Sequence, residues 1–140
     1  MSAWAASPSP VPTSLASYIA DRKIDTQLPL VADYNGAMIN VSIQSVDAAD
    51  GKVSFYAPVF KGIEYRFAKP VPDYAGVFAE GVHDKHASRV AFSCNCILNY
   101  AYADLEGKKT GSFVGPVTFG EVAYMLLNQT LAYLTIEKVV

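Results

Sequence analysis

The groups in this 140-residue chain that could do chemistry are two thiols, two imidazoles, a carboxylate and a few carboxamides. Cys94 and Cys96 stand one residue apart in FSCNC. On a strand that spacing sends both side chains to one face, without the usual geometry for a bridge. A cysteine attacks only as the thiolate, which needs a nearby base or a helix N-terminus. With His83 or His86 as base and Glu121 as orienter, a thiol-dependent enzyme using Cys94 or Cys96 is one reading, and the residue types alone motivate it. The plainer reading makes both cysteines small buried apolar residues. His83 and His86, at i and i+3 in HDKH beside Asp84, can share a helical face as half of a metal site. A third and fourth ligand are not in view, so a solvated helix end is the better reading and no metal or other cofactor is expected.

The remaining candidates are Asn99, Phe119, Gly120, Glu121 and Asn128, and the last third of the chain must position them. RVAFSCNC at 89–96 reads as a central strand feeding a helix at 97–105, with Ile97, Tyr100, Ala101 and Leu105 at helical spacing. Polar side chains then gather at the carboxyl end of a strand, where open sheets form ligand clefts. Residues 106–111 end that helix. Pro116 cannot donate to a ladder, so 112–117 reads as an edge or bulged strand. Gly120 lets the backbone come close to something, and Glu121 opens a helix through Val122, Met125 and Leu126 that ends near Asn128. TLAYLTIE at 130–137 alternates as a final strand. Strand, helix, turn, helix and strand would thus bring Cys94, Glu121 and Asn128 towards one hollow.

Upstream, 1–12 carries Pro8, Pro10 and Pro12 among small residues and reads as a flexible lead. Thr13 or Ser14 caps a helix over 13–23. Residues 37–45 alternate as a strand, and a turn at 47–51 joins them to a second strand over 52–60. A third strand is expected over 62–68. Asp73 then caps a helix with Tyr74, Val77, Phe78 and Val82 at helical spacing, weakened by Gly76 and Gly81. The expected architecture is α+β: a single domain over 13–140 with an antiparallel or mixed sheet of about six strands and three or four short helices.

Composition narrows the function. Half of the residues are apolar and 17% are charged, enough for one domain with a core. A net charge of −2 with scattered Lys and Arg makes nucleic acid a poor partner. No apolar run approaches the roughly 20 residues of a membrane span, and the N-terminus lacks the parts of an export signal. With free thiols, the expected setting is the cytoplasm.

Phe92, Ser93 and Cys94, then Gly115, Phe119, Gly120 and Glu121, then Asn128, Thr130 and Leu131 form a pattern that resembles the C-terminal part of the FIST domain, a sensory module of bacterial signalling proteins. The resemblance covers the last third of the chain and implies a short stand-alone relative. It also implies non-catalytic binding of a small molecule, amino-acid-like in character, with Cys94, Asn99, Gly120 and Glu121 lining or shaping the site. From the residues themselves, a pocket between the Cys94 strand end, the turn from Phe119 to Glu121 and Asn128 supports the same function. Nine tyrosines and seven phenylalanines in so short a chain leave a third reading, a structural or assembly subunit such as a homodimer.

Overall fold

The structure is a computed structural model that describes residues 14–82, 89–108, 110–122 and 124–136, with the side chains of 79, 81 and 82 also outside the description. His83 and His86, and the metal and thiol-enzyme readings built on them, lie outside the described residues.

Helix α1 spans Leu15–Arg22. Ser14 caps it by accepting a hydrogen bond from the Ser17 amide at 3.1 Å, and Lys23 closes it in a left-handed conformation. Ala16 and Ile19 face inward. Strand β1 (Leu30–Tyr34) pairs antiparallel with β2 (Ala37–Val41). Asn35 and Gly36, both at positive φ, form the two-residue turn between them. Strand β5 (Arg66–Phe67) adds to the other edge of β1. Leu30, Val41 and Ala57 make a small core under this sheet, with Phe55, Tyr65 and Phe67 packed against it. Strands β3 (Ile43–Asp47) and β4 (Lys52–Phe55) form a separate hairpin.

Helix α2 (Tyr74–Val82) begins where Asp73 accepts a hydrogen bond from the Gly76 amide at 2.9 Å. Strand β6 (Val90–Cys96) runs directly into α3 (Ile97–Tyr102), and the chain returns as β7 (Val117–Thr118), parallel to β6. Only a crossover of this kind can join parallel neighbours. Strand β10 (Leu131–Thr135) pairs antiparallel on the other side of β6, completing the order β10-β6-β7.

The architecture is α+β, as the sequence implies, but among the described residues ten short strands in four small sheets replace a sheet of about six. The strand expected over 37–45 is two strands, because the Ser42 amide leaves the ladder and donates to the Asn128 side chain at 3.0 Å. The strand expected over 52–60 stops at Phe55, and that over 62–68 shrinks to Arg66–Phe67. The edge strand expected over 112–117 is Val117–Thr118; Pro116, which cannot donate, accepts from the Asn95 amide at 3.0 Å.

The helix expected from Glu121 to Asn128 is a hairpin of β8 (Glu121–Val122) and β9 (Met125–Leu126). Its turn carries Tyr124 at φ +65°. The expected helix 97–105 ends at Tyr102, and Asp104 at φ +50° turns the chain away. Among the described residues no helix is long and apolar enough to cross a membrane.

Candidate functional site

The β1-β2-β5 sheet and the β6-α3 unit meet along a seam, and the turn before β10 ties them together. Asn128 is fully buried there; its Oδ1 accepts from the Ser42 amide. Gln129 is held at φ +46° by bonds in several directions. Its Nε2 donates to the Gln27 carbonyl at 2.8 Å and to Ser42 Oγ at 3.0 Å, while its own carbonyl accepts from Asn40 Nδ2 at 3.2 Å. Thr130 Oγ1 closes the turn on the Asn128 carbonyl at 2.8 Å. The Thr130 carbonyl in turn accepts from the Cys96 amide at 3.1 Å, so the turn bonds to both halves. A left-handed non-glycine residue costs energy and persists only where its surroundings over-determine it.

A cavity of about 370 Å³ opens at this seam. The segment after α1 contributes Asp25 and Gln27, β2 contributes Asn40, the segment before α2 contributes Lys69, and Tyr74, Asn99 and Gln129 complete the polar wall. Leu28, Pro29, Val71 and Ala103 supply apolar surface. The wall is pre-ordered on the α3 side: Tyr74 Oη donates to Asn99 Oδ1 at 2.7 Å, and Asn99 Nδ2 donates to Asn95 Oδ1 at 2.9 Å. Asn99 is 2% exposed, and both ends of its carboxamide are satisfied by these bonds. Burial pushes the Tyr74 phenol above its ordinary pKa, and burial together with Tyr56 does the same to Tyr102 on the same wall. Both therefore stay neutral donors through the physiological range.

The family model of DUF6976 matches residues 9–137, a span that takes in the seam and all four sheets described above. The chain belongs to DUF6976, a family of unknown function. No curated protein and no solved structure matches it. Nothing in the DUF6976 match links the chain to the FIST domain.

Of the site residues read from the sequence of this DUF6976 chain, Asn99 alone lines the seam cavity. Cys94, Gly120 and Asn128 do come together, but in the packed interior. Cys94 Sγ lies 3.6 Å from Thr118 Oγ1, which accepts from the Gly120 amide at 3.1 Å. A Cβ on Gly120 would sit 3.0 Å from the Leu127 carbonyl oxygen and 3.4 Å from Asn128 Nδ2, the close approach that the glycine permits. Glu121 and Phe119 go the other way. Glu121 is exposed on the β8-β9 hairpin and edges a shallow surface depression, while Phe119 is 73% exposed.

The hollow expected to join Cys94, Glu121 and Asn128 is therefore absent among the described residues, because a hairpin in place of a helix turns the carboxylate outward. Cys94 and Cys96 are 4% and 1% exposed, as core residues are. Asp25, Gln27, Lys69, Tyr74 and Gln129 were not read from the sequence. Gln129 had a signal, lying in the polar Asn-Gln-Thr step directly before the final strand, whereas Asp25 and Lys69 sit in irregular segments without any periodicity.

Proposed function

We propose that this chain is a non-catalytic small-molecule-binding module and that its ligand occupies the seam cavity. The observation that carries this reading is the wall itself. One carboxylate (Asp25), one ammonium (Lys69) and carboxamides from four separate segments face a partly apolar space large enough for a small metabolite. Opposite charges on one wall suit a ligand that carries both an ammonium and a carboxylate group, as an amino acid does, with Tyr74 and the amides orienting it. The resemblance of the C-terminal third to the FIST domain supports the same class of ligand and a distant sensory kinship. Free, buried thiols at Cys94 and Cys96 fit work in a reducing cytoplasm.

Thermal unfolding in the presence of a panel of free amino acids and their decarboxylated or deaminated analogues tests the reading. At a hundredfold excess over the dissociation constant the right ligand stabilises the fold by about 2.7 kcal/mol. Lys69→Ala should abolish the shift for carboxylate-bearing ligands without lowering the ligand-free midpoint. Undiminished stabilisation of Lys69→Ala by the same compound would contradict this site.

A specific observation also favours assembly as a second reading. Phe92 and Leu134 face each other across β6 and β10 and are 52% and 59% exposed. Sedimentation velocity should show a homodimer that Leu134→Lys converts to monomer; a monomer at all concentrations would discard the idea.

A further inference from the structure

The hydrogen bonds around the seam cavity fix which ends of its polar side chains are left for a ligand, and those ends are acceptors. Tyr74 Oη commits its single proton to Asn99 Oδ1 at 2.7 Å, and Asn99 is itself held by the bond from its Nδ2 to Asn95 Oδ1 at 2.9 Å. The phenol oxygen therefore has lone pairs alone to offer. Gln129 Nε2 donates to the Gln27 carbonyl at 2.8 Å and to Ser42 Oγ at 3.0 Å, which uses both of its protons and leaves Oε1. Asn40 turns its Nδ2 to the Gln129 carbonyl at 3.2 Å, with Oδ1 at the other end of the carboxamide. Asp25 adds a carboxylate whose Oδ1 accepts from the Gln27 amide at 2.9 Å. These four side chains reach the cavity from four segments, and Lys69 is the one cation on its described wall.

An acceptor wall with one carboxylate discriminates among cations. A primary ammonium carries three N–H donors and can satisfy a carboxylate and two neutral oxygens at once. Each methyl group added to the nitrogen removes a donor and sets hydrocarbon against an oxygen that then goes unpaired. A quaternary ammonium keeps the charge without any N–H and is suited to aromatic faces instead. The groove beside α1 is walled by Tyr18, Phe60 and Phe67 together with Lys61 and Arg66, and its described lining includes no carboxylate, so it offers an ammonium no charged partner.

Resting on the reading that the seam binds a small molecule, we propose that Asp25, Asn40, Tyr74 and Gln129 form a subsite selective for a primary ammonium over its N-methylated forms. Lys69 takes the carboxylate of the same ligand.

Calorimetric titration of the full chain with the common α-amino acids, each beside its N-methyl and N,N,N-trimethyl derivatives, tests the proposal. Affinity for the amino acid that binds should fall about tenfold on the first methylation and further on full methylation. Asp25→Asn, which keeps the oxygen bonded to the Gln27 amide, should weaken that amino acid about tenfold with the ligand-free melting temperature unchanged. Asp25→Asn and Tyr74→Phe should each narrow its advantage over the trimethyl derivative, whereas a merely structural loss would weaken both compounds equally. Trimethyl derivatives that bind as tightly as their parents, or variants that weaken parent and derivative alike, would overturn the subsite and leave the seam a binding site. No binding by any amino acid or derivative would instead remove the seam reading, and the subsite with it.

Discussion

Asn128 and Gln129 show how much a two-residue turn can decide. Asn128 completes the backbone of Ser42, which has left its ladder, and Gln129 bonds to Gln27 and Ser42 while facing the cavity. The Asn128 Nδ2 is buried and has no hydrogen-bond partner among the described residues, a cost the turn bears to keep its Oδ1 bond. Tyr74 carries a testable pH dependence.

Its folded pKa is raised by burial above the ordinary value of 10, so folding favours the neutral phenol. The stabilisation is complete below about pH 10 and is lost as pH climbs through the raised folded value. Urea midpoints measured from pH 8 to pH 11 should fall at the alkaline end, less steeply in Tyr74→Phe. That variant should also lose about 1 kcal/mol at pH 8, because Asn99 Oδ1 loses its donor. Equal alkaline slopes in the two proteins would contradict the assignment. At this scale the sequence marks Asn99 and Asn128 as polar residues in an apolar stretch. It cannot show that one lines a cavity and the other bolts two sheets together, since that depends on a partner 86 positions away.

Among the elements, capped helices were legible and short strands were not. Ser14 and Asp73 announce α1 and α2 by local chemistry, and the bonds they accept confirm it. The segment from Glu121 to Leu126 misleads because Val122, Met125 and Leu126 have helical spacing, yet a positive φ at Tyr124 closes a hairpin instead. Strand β1 was missed although Asn35-Gly36 is the strongest short hairpin signal in the chain.

Gly115 tests how tightly the β6-β7 region is built. Its amide donates to Ser93 Oγ at 2.9 Å, and an added Cβ would fall on the Ser93 carbonyl oxygen. Gly115→Ala should therefore cost about 3 kcal/mol in urea unfolding. Gly107, at φ +71° with nothing within 4 Å of an added Cβ, should lose only about 1 kcal/mol of backbone strain on the same substitution. Comparable losses at both positions would contradict this packing.

For the molecule as a whole, the β2-β1-β5 sheet with its small core and the β10-β6-β7 sheet with α3 are braced by a polar turn with a cavity beside it. The class was legible because alternating and helical spacings occur in separate stretches. The site was not, because its wall is drawn from the end of α1, β2, the segment before α2, α3 and the turn before β10, and only the folded seam brings these together. The central claim is that this seam binds a small molecule with paired charges. Amide chemical-shift mapping during titration with the amino acid that most raises the melting temperature tests it most directly. Shifts clustered at Gln27, Lys69, Tyr74, Asn99 and Gln129 are predicted. Shifts confined to the β8-β9 hairpin around Glu121, or to the groove beside α1, would contradict it.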